Sequence, residues 1–186
     1  MKTPHLLLVF SLFLMACSSP ETDQPADLLF DCMTSAFEAQ GFQLADELKA
    51  LEKDLINKGI LENGEAVSIY KAFEQLAADQ LPSFSLKPDD HRALFQVKPD
   101  EYFSAACWDS LVQLEKDFPH SKVYALQKGM DELRMSGAMS LPVIAEKELS
   151  ILEVADLNHC YYSFSMLMQL LYVADIEHQG LLPPSK

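Results

Sequence analysis

Residues 158–180, NHCYYSFSMLMQLLYVADIEHQG, carry apolar side chains on almost every side of a helix rather than along one stripe. A helix with that pattern lies in the middle of a bundle, because none of its faces is suited to water. His159, Ser163, Ser165 and Gln169 interrupt the run and argue against immersion in lipid. A central helix needs others to cover it, and the preceding residues supply them.

In DLLFDCMTSAFEAQG (27–41), Leu29, Cys32, Met33, Ala36 and Phe37 share one face, with Asp27 placed to cap the start and Gly41 to end it. QLADELKALEKDLINKG (43–59) repeats the period through Leu44, Leu48, Leu51 and Leu55 and stops at Gly59. Asn63 opens a third helix whose stripe is Val67, Tyr70, Phe73 and Ala77. Pro82, Pro88 and Pro99 break up residues 81–99, a loop expected to hold one short helix near residues 89–95.

Pro99, Asp100 and Glu101 suit a helix start, and Phe103, Cys107, Leu111, Leu114 and Phe118 run down one face as far as Pro119. Ser121 is placed to cap the next helix, with Val123, Leu126, Met130 and Leu133 inward and Gly137 at its end; Ser140 begins another, through Ile144, Leu149 and Leu152. No strand-like alternation occurs. The expected fold is all-α, an irregular bundle of about six to seven helices around an apolar C-terminal helix.

The 186 residues are 49% apolar with only six glycines, which fits one folded domain and neither a collagen-like nor a disordered chain. Twenty-eight acidic against 14 basic side chains give a net charge of -14, so phosphate backbones are repelled and nucleic acid is excluded as the expected ligand. A basic protein or a cation is the better electrostatic complement.

The chain opens with Met1 and Lys2, then the apolar run LLLVFSLFLM (6–15), then the small Ala16 before Cys17, which is the layout of a secretory signal. A run of about ten residues falls well short of the roughly 20 a spanning helix needs. Leu14, Met15, Ala16 and Cys17 resemble the lipobox of bacterial lipoproteins. That resemblance implies diacylglycerol on the Cys17 sulfur, cleavage after Ala16 and a further acyl chain, such as palmitate, on the new amino group. Two or more acyl chains anchor a protein stably, where one binds reversibly.

On this reading residues 1–16 are a signal peptide and 17–26 a lipidated tether. Residues 27–180 form a single helical domain and 181–186 a C-terminal tail. Ser18 after the cysteine suggests passage to the outer membrane, since an aspartate there retains lipoproteins of the enteric type at the inner one.

Cys32, Cys107 and Cys160 fall on apolar faces, so they read as small buried thiols or as one inter-helix disulfide, with all three pairings open. An exported chain meets conditions in which disulfides persist. No short paired spacing such as C-x-x-C suggests a metal, and no cofactor is expected.

Ser68 and Lys71 spell S-x-x-K, which resembles the nucleophile motif of penicillin-binding proteins and β-lactamases, but the S-x-N and K-T-G partner motifs do not occur. The stretch FPHSKVYAL (118–126) resembles a junction between tetratricopeptide repeats, without a second copy at the period of about 34 residues. His159 and His178 lie roughly 28 Å apart on one helix, too far to share a metal.

The functional expectation is a lipid-anchored cell-envelope protein that binds a protein partner or assists assembly, without catalysis. An acidic inhibitor or immunity-type protein neutralising a basic partner is the alternative. A third is an envelope enzyme drawing on Asp89, Asp90 and His91 together with distant acids.

Overall fold

The computed structural model describes residues 23–97 and 104–178, and these are all-helical. Eight α-helices follow in order: α1 (Gln24–Ala39), α2 (Leu44–Asn57), α3 (Ala66–Ala77), α4 (Arg92–Gln96), α5 (Ala105–Leu114), α6 (Lys122–Ser136), α7 (Leu141–Leu149) and α8 (Cys160–His178). Two 3-10 turns, Pro88–His91 and Val154–Asn158, lead into α4 and α8. The leader, Cys17, the Pro99–Phe103 helix start and the C-terminal tail lie outside the described residues.

The first helix begins one turn earlier than Asp27. Asp23 is its cap, accepting from the Ala26 backbone N–H at 3.4 Å, and Pro25 occupies the first turn, where its missing N–H costs nothing. The first helix therefore starts inside residues 17–26, the span expected to be tether. Asp27 becomes a first-turn acid that faces the helix dipole favourably. Gly41 and Gly59 follow α1 and α2 with φ of +82° and +72°, a left-handed conformation that glycine adopts without a Cβ clash.

The stripe expected on α3 is out of phase with the observed one. Ile69, Ala72, Phe73 and Leu76 are buried together with Ser68, whereas Val67 is 40% exposed. Two apolar arcs overlap on this helix, and the buried one is centred on Phe73 where α3 packs against α7, α8 and the Val154–Asn158 turn. α5 also stops short of Phe118: the Phe118 and Asp117 N–H groups both turn back to the Leu114 carbonyl. Ser121 then restarts the chain as the cap of α6, accepting from the Val123 N–H at 3.1 Å.

α8 holds the central position that its all-round apolar pattern requires. It packs against α1, α2, α3 and the Val154–Asn158 turn, with Tyr162, Met166, Leu167, Leu170, Leu171 and Ala174 buried. α3 lies along α7, α1 along α5, and α6 against α7. At Gly129 on α6 a Cβ would come within 2.6 Å of Lys147 Cε and 3.3 Å of Ile151 Cδ1, so the missing side chain is what lets Lys147 lie across α6 to reach Glu132 at 2.9 Å.

Candidate functional site

A group of part-buried polar contacts gathers where α1, α6 and α8 begin. Asp23 Oδ1 accepts from Ser121 Oγ at 2.8 Å, and Asp23 Oδ2 accepts from the Tyr162 hydroxyl at 2.6 Å. One carboxylate thus caps α1, holds the residue that caps α6, and receives a phenol from the central helix. Burial and the Asp23 charge together push the Tyr162 hydroxyl far above its ordinary range, so it remains a donor. Tyr161, edge-on to Tyr162 with ring centroids 5.3 Å apart, is pushed up to about 12 by burial, helped by the charges of Glu148 and Asp23.

His159 adds a second tie between the same helices. Its Nε2 lies 2.9 Å from Asp27 Oδ1 on α1, and its Nδ1 accepts from the Tyr161 backbone N–H at 3.1 Å. An accepting Nδ1 places the proton on Nε2, which then donates to Asp27. An Asp–His pair is the base half of a nucleophilic site, but here the second nitrogen meets a backbone N–H instead of a hydroxyl or thiol. Lys122 and Asp156 form an ion pair beside it. The cluster fixes helix starts to one another.

Cys32 on α1 and Cys107 on α5 form a disulfide with Cα atoms 6.3 Å apart across 75 residues of chain. Of the two readings the sequence left open for them, buried thiols or one inter-helix disulfide, the structure shows the disulfide. Next to Cys107, Trp108 and Val112 stand one turn apart on α5, 43% and 46% exposed.

The S-x-x-K serine is a loop anchor. Ser68 is 2% exposed, and its Oγ accepts from the Glu62 N–H at 2.8 Å and the Asn63 N–H at 3.3 Å, closing the turn before α3. Lys71 reaches out to Glu62 at 3.4 Å rather than in to the serine.

Of the three residues of the envelope-enzyme reading, the Asp89 side chain lies outside the described residues. His91 is buried to 1% and points at Asp54 of α2, with Nε2 3.2 Å from Oδ2 but outside hydrogen-bonding geometry, so neither ring nitrogen has a hydrogen-bond partner; Asp90 is exposed.

A further pair, Glu148 on α7 and Gln169 on α8, escaped the apolar periodicity altogether. Glu148 is 6% exposed, and the Gln169 amide Nε2 donates to both of its oxygens, at 2.6 and 2.7 Å. Burial raises its pKa to about 7, against the opposing effect of the Gln169 hydrogen bond. Its sequence signal is faint: an acid three residues after Ala145 on the face turned to α3 and α8.

Among the described residues no three His, Cys, Asp or Glu side chains converge as a metal site, and no helix is long and apolar enough to cross a membrane. In comparisons with known proteins, no family model, no curated protein and no solved structure matches this chain.

Proposed function

We propose that this chain is a lipid-anchored helical protein of the bacterial cell envelope, serving as a binding or assembly module for a protein partner. The observation that carries the reading is the Cys32–Cys107 disulfide, a bond that persists in oxidising compartments and is rare in reducing ones. It agrees with the lipobox at residues 14–17, and the two come from separate parts of the chain.

The geometry around Asp23 adds a role for the tether. Only five residues lie between Cys17 and Asp23, a span of at most about 22 Å. Asp23 is bonded to α6 and α8 as well as capping α1. A short leash ending in a fixed point would keep the bundle close to the bilayer and limit the orientations it presents to a neighbour.

Mass spectrometry of protein extracted from membranes tests the anchor. Expected is an amino-terminal Cys17 carrying diacylglycerol and a further acyl chain. An unmodified Cys17, a Cys17 joined to Cys160, or recovery of all material in the cytosol would overturn it. Crosslinking in intact cells then tests the module, which requires a stable neighbour.

A second reading, an acidic inhibitor of a basic protein, is favoured by the net charge, which becomes -15 once Lys2 leaves with the leader. Such a complex would weaken steeply with added salt, whereas an apolar contact would not.

A further inference from the structure

The Glu148–Gln169 pair is incomplete as an ionised carboxylate facing an amide. Gln169 Nε2 serves both carboxylate oxygens, while Gln169 Oε1 is buried and has no hydrogen-bond partner. A carboxylate can only accept, so it has nothing to give that oxygen. Turning the amide over makes matters worse, since a carbonyl would then face two acceptors. A neutral carboxyl has one O–H to donate, and an acid beside an amide can close a ring of two hydrogen bonds, N–H to C=O and O–H to O=C. The unpartnered carbonyl is what such a ring lacks.

We propose that Glu148 and Gln169 form a proton-operated latch between α7 and α8, in which a proton taken up from water by the Glu148 carboxylate becomes the hydrogen bond to Gln169 Oε1. One proton is bound and one O–H···O bond forms. One of the two N–H···O contacts is given up as the amide slides into register, and the buried charge is neutralised. Release of the proton reverses each change and leaves an uncompensated charge between the helices.

Among the described residues, no cation on the neighbouring elements takes over that compensation, and Lys128 of α6 acts on Glu132 instead. On α7 itself Lys147 pairs with Glu132 of α6, which holds that carboxylate below its usual range. Lys122 of α6 pairs with Asp156 of the Val154–Asn158 turn, and Arg134 with Asp131. On α3, Lys71 turns to Glu62 and Glu74 is exposed. On α8, Tyr161 is neutral and raised partly by Glu148 itself, and Tyr162 and His159 are bonded to Asp23 and Asp27. The elevated titration of Glu148, to about 7, accords with this isolation.

The sign follows from linkage. A carboxyl whose folded pKa lies above its ordinary 4.5 stabilises the fold fully below that value, and the contribution is lost as pH rises through about 7. Denaturant unfolding of the full chain at pH 5 and pH 8, for the natural protein and Glu148→Gln, reads it out. The natural protein should gain on the order of tenfold to a hundredfold in its folding equilibrium on going to the acidic condition, beyond any change in the variant. E148Q carries an amide that mimics the protonated acid, so it should be at least as stable as the natural protein at pH 8. Parallel profiles, or a variant weaker at pH 8, would overturn the latch.

A direct reading needs no variant. The carbon-13 shift of the Glu148 carboxyl, followed in the full natural chain, should titrate above about pH 6, and a midpoint below that overturns the proposal.

Discussion

Tyr162 donates its hydroxyl to Asp23 at 2.6 Å, joining the central helix to the cap of the first across 139 residues of sequence. Tyr162→Phe removes that donor while keeping the ring, which is 2% exposed. A hydrogen bond to a charged acceptor contributes about 1.5–3 kcal/mol. The expected loss lies in that range, read as a lower midpoint in urea at an unchanged slope. Asp23→Ala should cost more, since it also frees Ser121 Oγ and the Ala26 N–H.

The two tyrosines set an alkaline limit. Both have folded pKa values raised above the ordinary 10.0, so the fold favours their neutral forms. That contribution is whole below pH 10 and falls away as pH rises toward about 12 for Tyr161. Ultraviolet titration of phenolate should show these two ionising only as the protein unfolds, and a smooth titration of every tyrosine near pH 10 would contradict the network.

Reducing the Cys32–Cys107 bond reopens a loop of 75 residues in the unfolded chain. The chain-entropy relation puts the loss at about 4 kcal/mol, an upper figure for a real protein. Thermal melts of the natural protein and of a Cys32→Ser/Cys107→Ser double variant, both without reductant, should show a lower Tm in the variant.

Ser68 and Lys71 should behave in opposite ways. Ser68→Ala leaves the Glu62 and Asn63 N–H groups without their acceptor, for an expected cost of about 1–2 kcal/mol. Lys71→Ala breaks only an exposed ion pair, its members 52% and 72% accessible, and should change stability by less than about 0.5 kcal/mol. Equal effects in denaturant unfolding would argue against the anchoring role.

His91 offers the reverse kind of change. Since neither buried nitrogen is hydrogen-bonded, His91→Leu removes two unsatisfied polar atoms while filling much the same volume. Stability should hold or rise by about 1 kcal/mol. A clear fall would mean that the contact with Asp54 at 3.2 Å contributes more than its geometry suggests.

Helix periodicity made the architecture readable. α8 is central because its pattern leaves no face for water, and Ser121 and Gly137 bound α6 where capping chemistry places them. The phase of α3 was not readable, because apolar residues fill two overlapping arcs and only its neighbours choose between them. The polar interior was also hidden. Asp23 resembles a linker residue until Ser121 and Tyr162 meet it, and Glu148 resembles a surface acid until Gln169 covers it. Such groups are defined by partners far away in sequence, to which local period is blind. The cysteine pairing was open for the same reason.

Mechanical load would follow an unusual route through this bundle. A pull on the amino-terminal end enters at Asp23, runs along α1 only as far as Cys32, and there crosses the sulfur bridge into α5. The stretch that the bridge closes off, the rest of α1 with α2, α3 and α4, is shielded from a pull between the two chain ends, so the amino-terminal region that bears force is the seam of residues 23–32 with its bonds to Ser121, Tyr162 and His159.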